Sequence, residues 1–320
     1  MSKYFKILFF LFFLIISGCG YFIIAFKNIG EAITESPGKV ENKIKNVVKP
    51  DVKLAATWIG HSTVLLQMYD KVLIFDPFYN NYLGGVFIRR LEAGVDLNEI
   101  SKIDMILISL THMDHLSFGT LDKLEVKFPK AKLIFPLGAE YYMPAYDFDM
   151  IRIDNKKAIK EYIGNPVMID SVKVTPVYAK HPGGRYAIDV YSWRTESATG
   201  YIVEYKGICV YFPGDTGYDS LAFKKIGSKF DIDLAFIPVG PCKTCESEGF
   251  WYHTSSFEAL EQFRDLNAKI MIPIHFGAIK YIRDENYPIE IFKKILDKDF
   301  TDMKDKVKIL RTGEQIILKK

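Results

Sequence analysis

The chain has 320 residues, 49% hydrophobic and 25% charged, an ordinary globular composition with room for one large domain or two small ones. Its formal charge of +3 is small, with lysines mixed among acids, which excludes a basic nucleic-acid-binding surface. No segment repeats at a fixed period, so a solenoid or array is excluded too.

The first segment departs from this average. MSKYFK is a short basic start, and ILFFLFFLIISG is then uninterrupted apolar sequence up to Cys19, the pattern of a secretory signal. Ile16-Ser17-Gly18-Cys19 resembles a bacterial lipobox, whose cysteine is lipidated and becomes the mature N-terminus. The apolar run resumes as YFIIAF, and Phe5 to Phe26 reaches the roughly 20 residues of a bilayer-spanning helix. Cleaved lipoprotein and uncleaved membrane helix both stand, and both imply an extracytoplasmic, membrane-associated protein. Residues 1–26 are read as that anchor. Residues 27–53, lysine-rich and broken by Pro37-Gly38 and Pro50, are read as a polar linker, and 54–320 as one domain.

From Leu54 onward β-rich runs alternate with helical patterns. TVLLQM, KVLIFD, MILIS and KLIFP read as strands, several apolar throughout and so buried on both faces. MIDSVKVTPVYA, GYIVEYKG, ICVYF, DLAFIPV, KIMIPI and KVKILRT follow. Helical patterns fall at Phe118–Phe128, Ser220–Ile226, Ser256–Leu266 and Ile289–Lys298. Strands in that excess, with helices outside, predict two stacked sheets covered on both sides, an α/β sandwich. Of the cysteines, Cys209 lies in the strand-like ICVYF. Cys242 and Cys245 form a CxxC that can close a disulfide outside the cytosol and is a weak zinc signal without a second pair.

All six histidines (His61, His112, His115, His181, His253, His275) fall at strand ends or in adjoining loops, where chemistry collects on a sheet scaffold. In THMDH, three metal-binding heads crowd into one turn, which favours a metal loop over a helix cap at Asp114. Asp76 in LIFDPFY and Asp215 in VYFPGDTGYD read singly as turn residues. His181 ends a strand before Gly-Gly. His275 ends the apolar MIPI, where a buried imidazole needs a partner. His253 precedes Thr254 and Ser255 before a helix, and reads equally as a capping-region residue or as a contact to substrate or leaving group. His61 reads as a structural hydrogen-bonder, and Arg185 as a possible phosphate donor. The aromatic run EYYMPAYDF reads as core in preference to an interfacial patch.

The order of these residues says more than any one of them. TWIGHSTVLLQ, LIFDPF, ISLTHMDHLSFGTL, YFPGDTGY and HTSSFEAL followed by IMIPIHFGA resemble the metallo-β-lactamase fold superfamily. Within it they look like the branch of N-acylphosphatidylethanolamine-hydrolysing phospholipase D and its bacterial relatives. The resemblance runs from about Ala55 to the C-terminus. It implies a four-layer αββα sandwich with two zinc ions in a groove between the sheets. The family loop is His-x-His-x-Asp-His. Carried over position by position, one zinc takes Asp114, His115 and His275, and the other takes His112 and His181, with Asp215 bridging. Leu110 stands where the second zinc's remaining histidine would be, so that zinc is expected to be weak or exchangeable, with His61 or His253, both near the groove in the resemblance, as candidates to replace the ligand. Asp76 would orient ligands or a bound water.

The resemblance further implies metal-assisted hydrolysis by hydroxide formed on zinc, with Asp114, His253 and Asp76 as the catalytic groups. No Gly-x-Ser-x-Gly turn offers a serine nucleophile. The expected partners are the membrane and a lipid or small phosphodiester substrate. A competing expectation is a catalytically weakened or non-catalytic member that binds lipid or a partner, for which Leu110 is the motive.

Overall fold

The computed structural model describes residues 30, 34–84, 87–185, 189, 196–249, 252–279 and 286–320. The apolar segment Phe5–Phe26, with Cys19, lies outside them. Among the described residues no helix is long and apolar enough to cross a membrane.

In the first sheet, β1 (Leu54–Gly60), β2 (Thr63–Met68) and β3 (Lys71–Phe75) form an antiparallel meander. Parallel pairing extends it through β4 (Met105–Leu107), β5 (Lys132–Pro136) and β6 (Asp149–Ile153). The second sheet begins antiparallel with β7 (Val167–Ile169), β8 (Val172–Val177), β9 (Gly200–Tyr205) and β10 (Ile208–Phe212). It continues in parallel through β11 (Leu234–Pro238) and β12 (Met271–Ile274). Last, β13 (Gln315–Lys319) returns to pair antiparallel with β1.

Period-2 alternation decides which face each side chain serves. Leu54, Ala56 and Trp58 of β1, with Leu73 and Phe75 of β3, point into a core shared with the second sheet. Phe75 there stacks on Phe212 with ring centroids 4.5 Å apart. Ile59, Leu65, Val72, Ile74 and Ile106 point the other way, onto Leu121 and Leu124 of helix α1 (Phe118–Lys127). A short helix, α2 (Lys156–Glu161), links β6 to β7. The second sheet packs against α3 (Ser220–Lys229), α4 (Ser256–Leu266) and α5 (Tyr287–Asp299) through Phe223, Leu260, Phe263 and Phe292. The layers run helix, sheet, sheet, helix, as the alternating pattern predicts.

Two readings change and one holds. KVKILRT is not a strand: Val307 makes only an isolated bridge to Met271, and the chain turns at Arg311–Gly313, so the pairing partner of β1 is the later Gln315–Lys319. The segment expected to be a free linker packs on the domain from Gly38, whose amide bonds Arg90 O at 2.8 Å, and Val47 is buried in the second core. The run around Tyr141 to Phe148 joins that same core through Phe148, Tyr142 and Tyr146, leaving Tyr141 exposed.

One clamp ties the two sheets at their edge. Asp233, just before β11, accepts hydrogen bonds from Cys209 N (3.0 Å), Lys269 Nζ (3.1 Å) and Lys319 Nζ of β13 (2.6 Å). Burial works to raise its pKa, but Lys319, the Cys209 amide and Lys269 outweigh it and hold the carboxyl below the ordinary range. Asp233→Ala should cost about 1–2 kcal/mol at neutral pH, a charge-assisted value discounted for the exposed lysines. Because the folded-state pKa is depressed, the cost is full above the ordinary carboxylate range and fades as pH falls through the folded value. Urea unfolding across a pH series measures this, and a pH-independent difference would assign the effect to packing instead.

Candidate metal centre

The polar residues of interest follow strands that run in one direction within their sheet. His61 follows β1, Asp76 follows β3, and Ser109 to His115 follow β4. From the second sheet, His181 follows β8, Asp215 follows β10, His253 lies between β11 and α4, and His275 follows β12. Such carboxyl ends of parallel strands form the crevice where α/β folds bind ligands. Three of these positions hold left-handed backbone without being glycine: His61 (φ 56°), Asp76 (φ 43°) and His275 (φ 65°). Strain of about 1–3 kcal/mol at each is sustained because the two loops lock together. The amide of His275 bonds His61 O at 3.0 Å, and Trp58 Nε1 bonds the same oxygen at 2.8 Å.

Among the described residues the side chains converge in three overlapping groups, the third being Asp215, His253 and His275. In the first, one donor atom from each of His61, Asp114, His115 and His275 lies within 4.8 Å of the others. In the second, His112, His181 and Asp215 do the same. Asp215 joins the groups: its Oδ2 is 3.1 Å from His115 Nε2 and its Oδ1 is 3.0 Å from His275 Nε2. His253 Nδ1 approaches Asp215 Oδ2 to 3.6 Å.

Each principal imidazole is oriented through its Nδ1–H, which leaves Nε2 for the centre. His115 donates to Asp76 Oδ2 (2.7 Å), His181 to Pro182 O (2.9 Å) and His275 to Gly240 O (3.0 Å). Asp76 is wholly buried, and its oxygens also accept Ser109 N (2.7 Å) and Ser109 Oγ (2.5 Å). This corrects its placement among the catalytic groups: shut away from the groove, it positions His115. Asp114 Oδ2 accepts a 2.8 Å hydrogen bond from His61 Nε2, the structural role expected of His61.

Electrostatics show what the cluster needs. Burial holds His112 and His181 below the ordinary histidine value, and brings His61 to about 3 and His253 to about 4. These are neutral rings with lone pairs to offer. Burial alone would raise Asp114 and Asp215, yet the neighbouring histidines keep both well below the usual carboxylate range. His115 is pushed well above its ordinary value: burial opposes this, but Asp215, Asp114 and Asp76 prevail. Three buried carboxylates therefore gather around imidazoles and demand positive charge. His115 Nε2, Asp215 Oδ1 and His253 Nδ1 are buried without hydrogen bonds, a cost a protein sustains where a cation is held. Nitrogen and carboxylate donors in this number suit a divalent transition metal.

The loop that carries the motif is braced from outside. Arg185, neither a solvated arginine nor a free phosphate donor, donates to Thr111 O (3.0 Å) and Leu116 O (2.9 Å) and stacks 3.8 Å over the Phe118 ring. Thr111 Oγ1 bonds Gly184 O at 2.6 Å. Sequence reading missed Ser109 and Thr111, although their place beside THMDH was the available signal. Cys242 and Cys245 form a disulfide, on a short hairpin ahead of His253.

Comparison with known proteins agrees with this geometry. A family model described as a beta-lactamase superfamily domain matches residues 72–276. The chain is 28% identical over 270 residues to N-acyl-phosphatidylethanolamine-hydrolyzing phospholipase D 1 of Caenorhabditis elegans, covering 79% of this chain and 72% of that one. A metal-dependent hydrolase of Methanoregula boonei is 31% identical over 225 residues, covering 69% of this chain and 81% of that one. Among solved structures, a metallo hydrolase from Ignicoccus hospitalis superposes with a TM-score of 0.60 at 20% identity, covering 82% of this chain and 97% of that one.

Proposed function

The chain belongs to the beta-lactamase superfamily, and from that premise we propose that this metal-dependent hydrolase is a membrane-attached zinc phosphodiesterase acting on phospholipid-like substrates. The observation that carries the reading is the shared carboxylate: Asp215 lies 3.1 Å from His115 and 3.0 Å from His275 and also belongs to the group with His112 and His181. Paired sites of this kind clamp the attacking and leaving oxygens of a displacement at phosphorus.

Asp114, His115, His275 and Asp215 would hold one metal, and His112, His181 and Asp215 the other. When bound, the metals supply Lewis acidity, bringing a water's pKa toward about 7 and steadying charge at the phosphoryl oxygens. The rest falls to the chain. Asp114, oriented by His61, would serve as a ligand and as a hydrogen-bond acceptor for the attacking water. Asp76 and the Gly240 carbonyl fix the tautomers of His115 and His275. Tyr252, exposed and 6.2 Å from the His181 ring, borders the groove's mouth and offers an apolar surface to an acyl chain.

Support for a lipid substrate comes from the apolar N-terminal segment and from the similarity to a phospholipid-hydrolysing enzyme. The Cys242–Cys245 disulfide fits an oxidising, extracytoplasmic compartment. Leu110, buried and without a lone pair, favours the second reading, a non-catalytic binding protein.

Full-length protein purified from membranes should carry about one to two zinc ions per chain. It should hydrolyse bis(p-nitrophenyl) phosphate and release phosphatidic acid from vesicles of N-acylphosphatidylethanolamine, both reversibly blocked by chelation. Elemental analysis and head-group release test this. Metal content near zero would end the hydrolase reading. Diester cleavage without release from vesicles would move the substrate away from phospholipids.

A further inference from the structure

The two ends of the centre are unequally equipped. The end at His115 and His275 has four donors within reach of one another, from His61, Asp114, His115 and His275, with Asp215 3.1 and 3.0 Å from the Nε2 atoms of His115 and His275. The end at His112 and His181 has only these two and Asp215, because Leu110 occupies the remaining position. Leu110 is 1% exposed and fixed in a bridge to Ala198. A Cβ built on Gly214, next to Asp215, would lie 3.6 Å from Leu110 Cδ2, so the leucine fills that wall of the site with hydrocarbon.

Above the same carboxylate stands an imidazole with no other occupation. The His253 ring lies 5.1 Å from that of His181 and 5.5 Å from that of His275. Its Nδ1 is buried without a hydrogen bond and 3.6 Å from Asp215 Oδ2. The donors of Asp215, His253 and His275 lie within 4.8 Å of one another.

The backbone beneath it is rigidly held. Thr254 Oγ1 bonds Pro238 O at 2.6 Å. Ser255 caps α4 in a reciprocal capping box with Glu258. Gly249 packs so closely that a Cβ there would fall 1.6 Å from His253 O. A ring carried on so fixed a backbone, with an Nδ1 that makes no hydrogen bond among the described residues, points to a ligand from outside the chain.

We propose that His253 is a metal ligand of this chain, supplying to the His112–His181–Asp215 end the donor that Leu110 cannot give. This rests on the reading that the two donor groups bind metal. It goes beyond the even reading of His253 as a capping-region residue or a contact to substrate or leaving group. The assignment to this end follows from the ring's closer approach to His181 than to His275, 5.1 Å against 5.5 Å, and from the four donors (His61, Asp114, His115 and His275) already grouped at the opposite end. Leu110 and His253 form a compensated pair: the ligand has moved from the loop after β4 to the loop before α4.

The test uses full-length protein stripped by chelator and titrated with Co2+, followed by its visible absorption, and with Zn2+ by calorimetry. Wild type should show two sites, one tighter. His253→Asn should weaken the second site by at least about 10–100-fold, the range for losing even an outer partner of a metal ligand, and leave the tight site unchanged. Adding Leu110→His to that variant should restore the second site and its absorption, which a merely misfolded variant would not do. Two unchanged sites and an unchanged spectrum in His253→Asn would overturn the inference and leave the hydrolase reading intact. No cobalt bound by wild type would overturn both.

Discussion

Asp215→Ala is expected to strip metal from both ends of the centre and to lower kcat/KM by at least about a thousandfold, because the several kcal/mol that metals lend to a transition state convert at 1.36 kcal/mol per factor of ten. Among the described residues Asp215 is shared by the donor group of His112 and His181 and by that of His253 and His275, so its loss removes a donor at each. Its charge also matters when metal is absent. It faces His115 and His275 at 3.1 and 3.0 Å in a buried setting, and breaking such a pair from one side costs about 3–5 kcal/mol. The metal-free variant should therefore unfold at a lower temperature than metal-free wild type. Elemental analysis, the diester assay and thermal unfolding of both forms read these effects separately. Retention of two metals by Asp215→Ala would refute the shared-carboxylate geometry.

How much of this centre was legible before the coordinates depends on the range of the signal. The HMDH loop stands out because three polar heads crowd into one turn, which is a local pattern, whereas His181, Asp215 and His275 were weak singly and became legible through their order along the chain. The helices of 118–127 and 256–266 were likewise legible from period and caps. Three features were not. Strand β1, LAATWIG, is built partly of small residues and carries little β signal of its own. Its burial comes from neighbours β2 and β13, the latter more than 250 positions away. β6, DMIRI, is an edge strand with Asp149 and Arg152 exposed, so its alternation is blurred. Arg185 looked like an anion binder because a lone arginine announces only its charge. That it spends its donors on Thr111 O and Leu116 O is a fact of tertiary approach across roughly 70 residues of chain.

Asp76→Asn should weaken metal binding at the His115 end by about 10–100-fold while sparing the His112–His181 end. Asparagine keeps the size of aspartate and tolerates left-handed backbone, so the φ of 43° at this position adds no new strain and the change isolates charge and hydrogen bonding. In the native arrangement the two carboxylate oxygens accept from three donors: Ser109 N, Ser109 Oγ and His115 Nδ1. An amide offers one oxygen and one NH2. If the oxygen stays with the Ser109 amide, the NH2 meets His115 Nδ1–H, a donor against a donor. The ring then escapes by moving its proton to Nε2, the atom aimed at Asp215, and the lone pair leaves the metal. If the amide flips, the buried Ser109 N–H loses its acceptor instead, at about 1–3 kcal/mol. Either way the centre is damaged through a residue that touches no substrate. The signature is a loss of affinity at one end with an unaltered cobalt spectrum at the other, together with lowered thermal stability. Equal weakening at both ends would mean that Asp76 braces the fold as a whole and does not orient His115 in particular.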